Sequence, residues 1–116
     1  MNNTFKVFII NKSKFIFKKL NTIFAIEYSV IMEELMNELK SGIIEVLDLK
    51  DIVPDDFDFD TPLFVEGLGL DSIDALEIVV LLEKKYNIKI EDPRDRRSAL
   101  YSIRSIAEYV TKHKKL

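Results

Sequence analysis

The feature that most constrains this chain is the stretch from Gly67 to Ile90, GLGLDSIDALEIVVLLEKKYNIKI, where a glycine loop gives way at once to a strongly apolar helical run. Gly67 and Gly69 admit backbone conformations that other residues resist. Asp71 is a favoured N-cap, and Asp74 stands three residues on, where a capping box places its acid. The pattern predicts a helix that starts at Ser72 or one residue earlier and runs to Tyr86. A serine at that point is exposed. Its hydroxyl lies by free backbone N–H groups and the positive end of the helix dipole, surroundings that suit a phosphate ester.

The same residues carry a resemblance. LGLDSIDALE, followed by an apolar helix ending at Tyr86 and then Ile88-Lys89-Ile90, resembles the acyl carrier proteins. In that family the serine of an Asp-Ser-(Leu/Ile) motif bears 4′-phosphopantetheine, and the matching residue here is Ser72. The resemblance runs from about Met32 to the C-terminus. It implies an all-α fold, a small up-down four-helix bundle with three main helices and one short one. It also implies that the protein is not itself an enzyme. A phosphopantetheinyl transferase would load Ser72 from coenzyme A. A ketosynthase and other acyl-processing enzymes would then meet acyl groups held on the arm's thiol as thioesters.

The helix behind Ser72 supplies more apolar surface than one core face needs, through Ile73, Leu76, Val79, Val80 and Leu82. Part of it is expected to remain outside as a docking patch, formed by Ile73, Leu76 and Val80 and bordered by Asp74, Glu77 and Glu83. By resemblance, Asp71, Asp74 and Glu77 lie where carriers present acids to basic pockets on partner enzymes, and Glu83 matches a further family acid. Also by resemblance, Ile78, Val79, Leu82, Tyr86 and Ile90 would line the interior that shelters an acyl chain. Lys84 and Lys85 depart from the acidic pattern of fatty-acid carriers. With the arginines of the third helix, they look more like carriers of type II polyketide-like pathways, such as aryl-polyene synthesis.

Charge divides the chain. Residues 1–31 hold five lysines (Lys6, Lys12, Lys14, Lys18 and Lys19) and one acid, Glu27, a net +4. The remainder holds 12 basic and 19 acidic residues, a net −7. An acidic body repels nucleic acid and attracts partners with basic patches. Arg94, Arg96 and Arg97 form a basic spot, but Asp92 and Asp95 interrupt it and no aromatic platform flanks it, which argues against nucleic-acid binding. There is no cysteine, so neither a disulfide framework nor a thiolate metal site is possible, in keeping with a cytoplasmic protein.

The chain is read as an N-terminal basic and apolar extension, residues 1–31, and a carrier domain, residues 32–116. Lysines break the apolar runs of the extension too often for a membrane span, and it lacks the order of a signal peptide. Phe17, Leu20, Phe24 and Tyr28 recur at helical spacing, compatible with a basic helix on a membrane surface. The preferred expectation is a poorly ordered segment, or sequence upstream of a true start at Met32. Met32 to Leu47 reads as the first helix, with an apolar stripe of Leu35, Leu39, Ile43, Val46 and Leu47. A long loop follows, held by Phe57, Leu63, Phe64 and Leu68. Its acids Asp55, Asp56, Asp58 and Asp60 fail the EF-hand spacing, because Thr61 falls where the glycine belongs and Gly67 where the bidentate glutamate belongs. Pro93 is placed to open a short helix to Tyr101, and Ser102 to cap a last helix from Ile103 to about Lys112.

Competing functions fare worse. Ser72 lacks a G-x-S-x-G elbow, and the single histidine, His113, lies in the lysine-rich tail, which argues strongly against a Ser-His-acid triad. Two alternatives remain, an unmodified acidic helical interaction module and a stand-alone peptidyl carrier. A soluble monomer is expected.

Overall fold

Local signals account for most of the element boundaries. The computed structural model describes residues 3–51, 57–64 and 67–114, with side chains from Ile16 onward, Phe17 apart. Four helices follow one another: α1 (Asn3–Val46), α2 (Ser72–Tyr86), α3 (Pro93–Ala99) and α4 (Ile103–His113). Among the described residues there is no strand, only an isolated bridge between Phe64 and Leu70. The four-helix, all-α class is as the sequence implies.

Two compact units divide the chain, Met1–Glu33 and Glu34–Leu116. In the first, the expected start of the first helix is corrected. Residues 3–31 are helical, and α1 begins at Asn3 rather than Met32. Leu20, Phe24 and Tyr28 are exposed, but so are Ile16, Ile23, Ile26, Val30 and Ile31, so the exposed apolar groups are not confined to one stripe. The side chain of Phe17 lies outside the described residues. No described helix is long and apolar enough to cross a membrane.

In the second unit, α1 buries Met36, Leu39 and Ile43. Val46, expected in this stripe, is 45% exposed. The chain leaves the helix at Asp48, which adopts a left-handed φ of 53°. The Leu49 N–H then returns to the Ile44 carbonyl at 2.9 Å, a Schellman-type closure, and Leu49 takes the buried position. The end of α2 repeats the device. Asn87 is left-handed with φ 55°, its N–H reaches the Glu83 carbonyl, and Ile88 behind it is buried.

The long loop is tied down along its described length. Phe57 and Leu63 are buried anchors as expected, whereas Phe64 and Leu68 are only partly covered. Leu63 N–H donates to the Tyr101 carbonyl at 2.9 Å, and Arg104 N–H to the Phe59 carbonyl at 2.9 Å. Lys40 Nζ donates to the Phe57 carbonyl at 2.7 Å. Of the loop acids, Asp58 accepts from Asp60 N–H and from Thr61, and Asp60 pairs with Arg104. Asp55 and Asp56 lie outside the described residues.

The last two helices start where their caps indicate. Asp92 accepts the Arg94 N–H at 2.8 Å, with Pro93 at the first turn of α3. α3 stops at Ala99, short of Tyr101. Ser102 and Ser105 form a reciprocal capping box on α4. That helix buries Ile103, Ile106, Ala107 and Val110.

One ion pair joins α1 to α2: Lys85 Nζ lies 2.9 Å from Glu38 Oε1. This hydrogen bond holds the Glu38 carboxyl below its usual range. A depressed carboxylate pKa adds stability above the unfolded value that is lost as pH falls through the folded one. Both side chains are about half exposed, so screening keeps the gain small. Lys85→Ala is therefore expected to cost under about 1 kcal/mol near neutral pH. The difference from the parent should vanish in acid, as thermal melts across the acidic range would show.

Candidate functional site

Ser72 is the first residue of α2, and it is exposed. What precedes it explains why. Gly67 packs so closely on the Pro62 carbonyl that a Cβ there would collide with it. Gly69 has φ +70°, a left-handed conformation that side chains resist. Leu68 N–H bonds the Pro62 carbonyl at 3.1 Å, and Leu70 N–H bonds the Leu63 carbonyl at 3.0 Å. The loop is thereby folded back on itself, with Leu70 buried as its last anchor and Asp71 extended after it.

Asp71 caps the helix in full. Its Oδ1 accepts the N–H groups of Ile73 and Asp74, each at 3.0 Å, while Asp74 Oδ2 accepts the Asp71 N–H at 3.0 Å. The capping box is as expected, but it changes the anion argument. The donors thought to be free beside Ser72 are largely taken, since Ala75 N–H is also held, by the Asp71 carbonyl at 3.0 Å. Replacing Asp71 by alanine should cost about 1 kcal/mol of stability (range ~0.5–2), measurable by urea denaturation.

A cavity of about 460 Å3 opens at Ser72. Its walls include Pro62 and Phe64 from the loop, Ala75 from α2, and Arg96, Arg97 and Tyr101 from the α3 side. In the sequence these arginines mark a basic spot and a likeness to polyketide-like carriers, not a part of the serine's surroundings. Nothing in local pattern places them beside Ser72; only the cavity they share with the loop and the start of α2 does.

The apolar residues assigned to docking are outside. Ile73 is 66% exposed, Leu76 54% and Val80 45%. With Val46, Glu77, Leu81 and Lys84 they line a second, shallow groove along α2. Asp71, Glu77 and Glu83 are exposed and Asp74 is partly covered. The five residues assigned to an acyl interior are placed differently. Ile78 and Leu82 are fully buried and Ile90 nearly so, while Val79 and Tyr86 are half-buried. None of the five lines the cavity at Ser72. The Tyr86 hydroxyl oxygen is buried close to the Glu38 carboxylate. Burial first, and then the nearby negative charge of Glu38, push its pKa up.

With this geometry in place, comparison with known proteins is decisive. The family model described as "Phosphopantetheine attachment site" matches residues 37–110. The chain belongs to the acyl carrier protein family. Relatives named acyl carrier protein include that of Brachyspira hyodysenteriae, 33% identical over 75 residues, covering 59% of this chain and 94% of that protein. The acyl carrier protein of Karelsulcia muelleri is 32% identical over 84 residues, covering 71% of this chain and 92% of that protein. That of Campylobacter hominis is 32% identical over 77 residues, with 66% and 90% covered.

Membership makes this protein a carrier rather than an enzyme. The family's cofactor is covalently bound 4′-phosphopantetheine, whose thiol carries acyl groups when the arm is attached. The residues present fit that group: an exposed hydroxyl at a helix start, with room beside it. A phosphopantetheinyl transferase and acyl-processing enzymes serve the family as a whole.

Proposed function

We propose that Ser72 bears the phosphopantetheine arm and that the chain shuttles acyl intermediates among the enzymes of one biosynthetic pathway. The observation that carries this reading is the exposed Ser72 at the first residue of α2, inside the matched region. In loading, the Ser72 oxygen bonds to phosphorus and releases its proton, and the nucleotide half of coenzyme A leaves. The domain is assigned to residues 32–116, with 1–31 as an extension outside it. The working place is the cytoplasm and the working form a monomer.

The pathway is read as type II polyketide-like, aryl-polyene synthesis included, ahead of housekeeping fatty-acid synthesis. Lys84 and Lys85 support this, because by resemblance fatty-acid carriers are acidic there, and the arginine-containing α3 belongs to the same likeness. The arm's cargo is assigned to the interior flanked by Ile78, Val79, Leu82, Tyr86 and Ile90. Intact-mass measurement after co-expression with a broad-specificity transferase tests the central point. The expected result is a gain of one phosphopantetheine; an unshifted mass removes the reading.

The docking face is assigned to Ile73, Leu76 and Val80, with Asp71, Asp74, Glu77 and Glu83 around them. Exposed apolar groups with an acidic border suit a basic, apolar-centred partner. Ile73→Ser with Leu76→Ser should leave stability within about 0.5 kcal/mol per site, because both are exposed. The same pair should slow transferase loading at least ~10-fold, the order expected for removal of central apolar contacts. Equal loading rates for the double variant and the parent would place the docking face elsewhere.

A further inference from the structure

A phosphoserine diester at Ser72 is an anion, and the start of α2 offers it little. Asp71 already holds the N–H groups of Ile73 and Asp74, and the Asp71 carbonyl holds that of Ala75. Most of the donors that make an uncapped helix start attractive to phosphate are spent. The carboxylates of Asp71 and Asp74 stand beside the serine as well, and both repel an anion. Charge balance must come from another element.

The cavity that Ser72 lines provides it. Arg96 and Arg97 form its cationic wall, with Leu100 and Tyr101 as apolar neighbours. Arg96 Nη2 donates to the Ile90 carbonyl at 3.2 Å, which fixes one edge of the guanidinium. Its Nε is buried without a partner. Neither arginine is in an ion pair among the described residues. Two guanidiniums outside any recorded ion pair, in a cavity shared with an esterified serine, match a phosphodiester in charge, and their N–H forks suit its oxygens. The volume, about 460 Å3, lies in the range of small-molecule sites.

We infer that Arg96 and Arg97 receive the phosphodiester formed on Ser72, so that the arm leaves the serine along the α3 side, past Leu100 and Tyr101, and not over the α2 docking face. This rests on Ser72 being the attachment site. The consequence is a resting position for the arm that leaves Ile73, Leu76 and Val80 open to partners.

The test uses the full-length holo-protein, its single arm first verified by intact mass. Phosphorus-31 NMR then reads the diester. In the parent its line should be as broad as overall tumbling dictates, and the arm's methyl protons should show contacts to the Tyr101 ring. Arg96→Gln with Arg97→Gln should narrow the line at least ~3-fold, as the phosphate gains its own fast motion, and abolish those contacts. Arg96 also holds the Ile90 carbonyl, so that variant risks the fold. Arg97→Gln alters an exposed side chain and should by itself give a partial narrowing. A narrow line in the parent, or an unchanged broad line in the folded Arg97→Gln protein, overturns the inference while leaving Ser72 as the attachment site. An unshifted mass removes both.

Discussion

A Ser72→Ala chain, co-expressed with a broad-specificity transferase, should emerge with its unmodified mass and no loaded fraction, while the parent emerges fully shifted. The effect is all or none, because the reaction needs the hydroxyl oxygen itself. Two structural facts make the result interpretable. First, the cap of α2 is Asp71, not Ser72, so alanine leaves both halves of the capping box in place. Alanine is also the best helix former, and the site is exposed, so stability should change by less than about 0.5 kcal/mol. Second, the serines around α3 and α4 are otherwise engaged. Ser98 Oγ bonds the Asp95 carbonyl at 3.2 Å, Ser105 Oγ bonds the Ala99 carbonyl at 2.6 Å, and Ser102 is buried in the cap of α4. A Ser98→Ala control should load like the parent. A shift that persists in Ser72→Ala would move the arm to another residue.

How much of this was legible in the sequence follows from how local each signal is. The start of α2 could be read because Asp71 and Asp74 announce it within four residues, and α4 because Ser102 does the same. Helix ends were harder. Asp48 and Asn87 turn the chain with left-handed backbones that glycine usually supplies; α2 still ends at Tyr86 as read and α1 within one residue of Leu47, but the exposed Val46 was placed inside. The long N-terminal reach of α1 was obscured for a related reason. Phe17, Leu20, Phe24 and Tyr28 do recur at helical spacing, but lysines interrupt the apolar runs and Ile16, Leu20, Ile23 and Phe24 are all exposed, so no burial reinforces that spacing.

The site shows the same division. Its exposed serine and its apolar neighbours Ile73, Leu76 and Val80 were readable from one helix alone. That the acids marking the helix start also consume its donors is a matter of hydrogen-bond count, visible only once the bonds are drawn. That Arg96 and Arg97 share a cavity with Ser72 is a product of the folded chain that no local pattern encodes.

Leu82→Ala carries the second large effect, and it bears on whether the helix interior is packed core or open room. Leu82 is fully buried on α2, one turn after the equally buried Ile78. If the side chain bordered a standing void, truncation would remove few contacts and cost little. In a packed interior it removes transfer free energy and leaves a cavity as well, together about 2–5 kcal/mol. Against the 5–15 kcal/mol typical of a whole domain, that is a large share. In a domain of this size it should lower the midpoint of thermal unfolding by roughly 10–20 °C. Thermal melts of the unloaded protein measure this directly. A shift of only a degree or two would mean that the space around Leu82 is already open. The large shift would mean that any acyl chain entering there must part Ile78, Leu82 and Ile90. A long acyl group on the arm should then raise the melting midpoint of Leu82→Ala more than that of the parent, because it fills the space the mutation leaves.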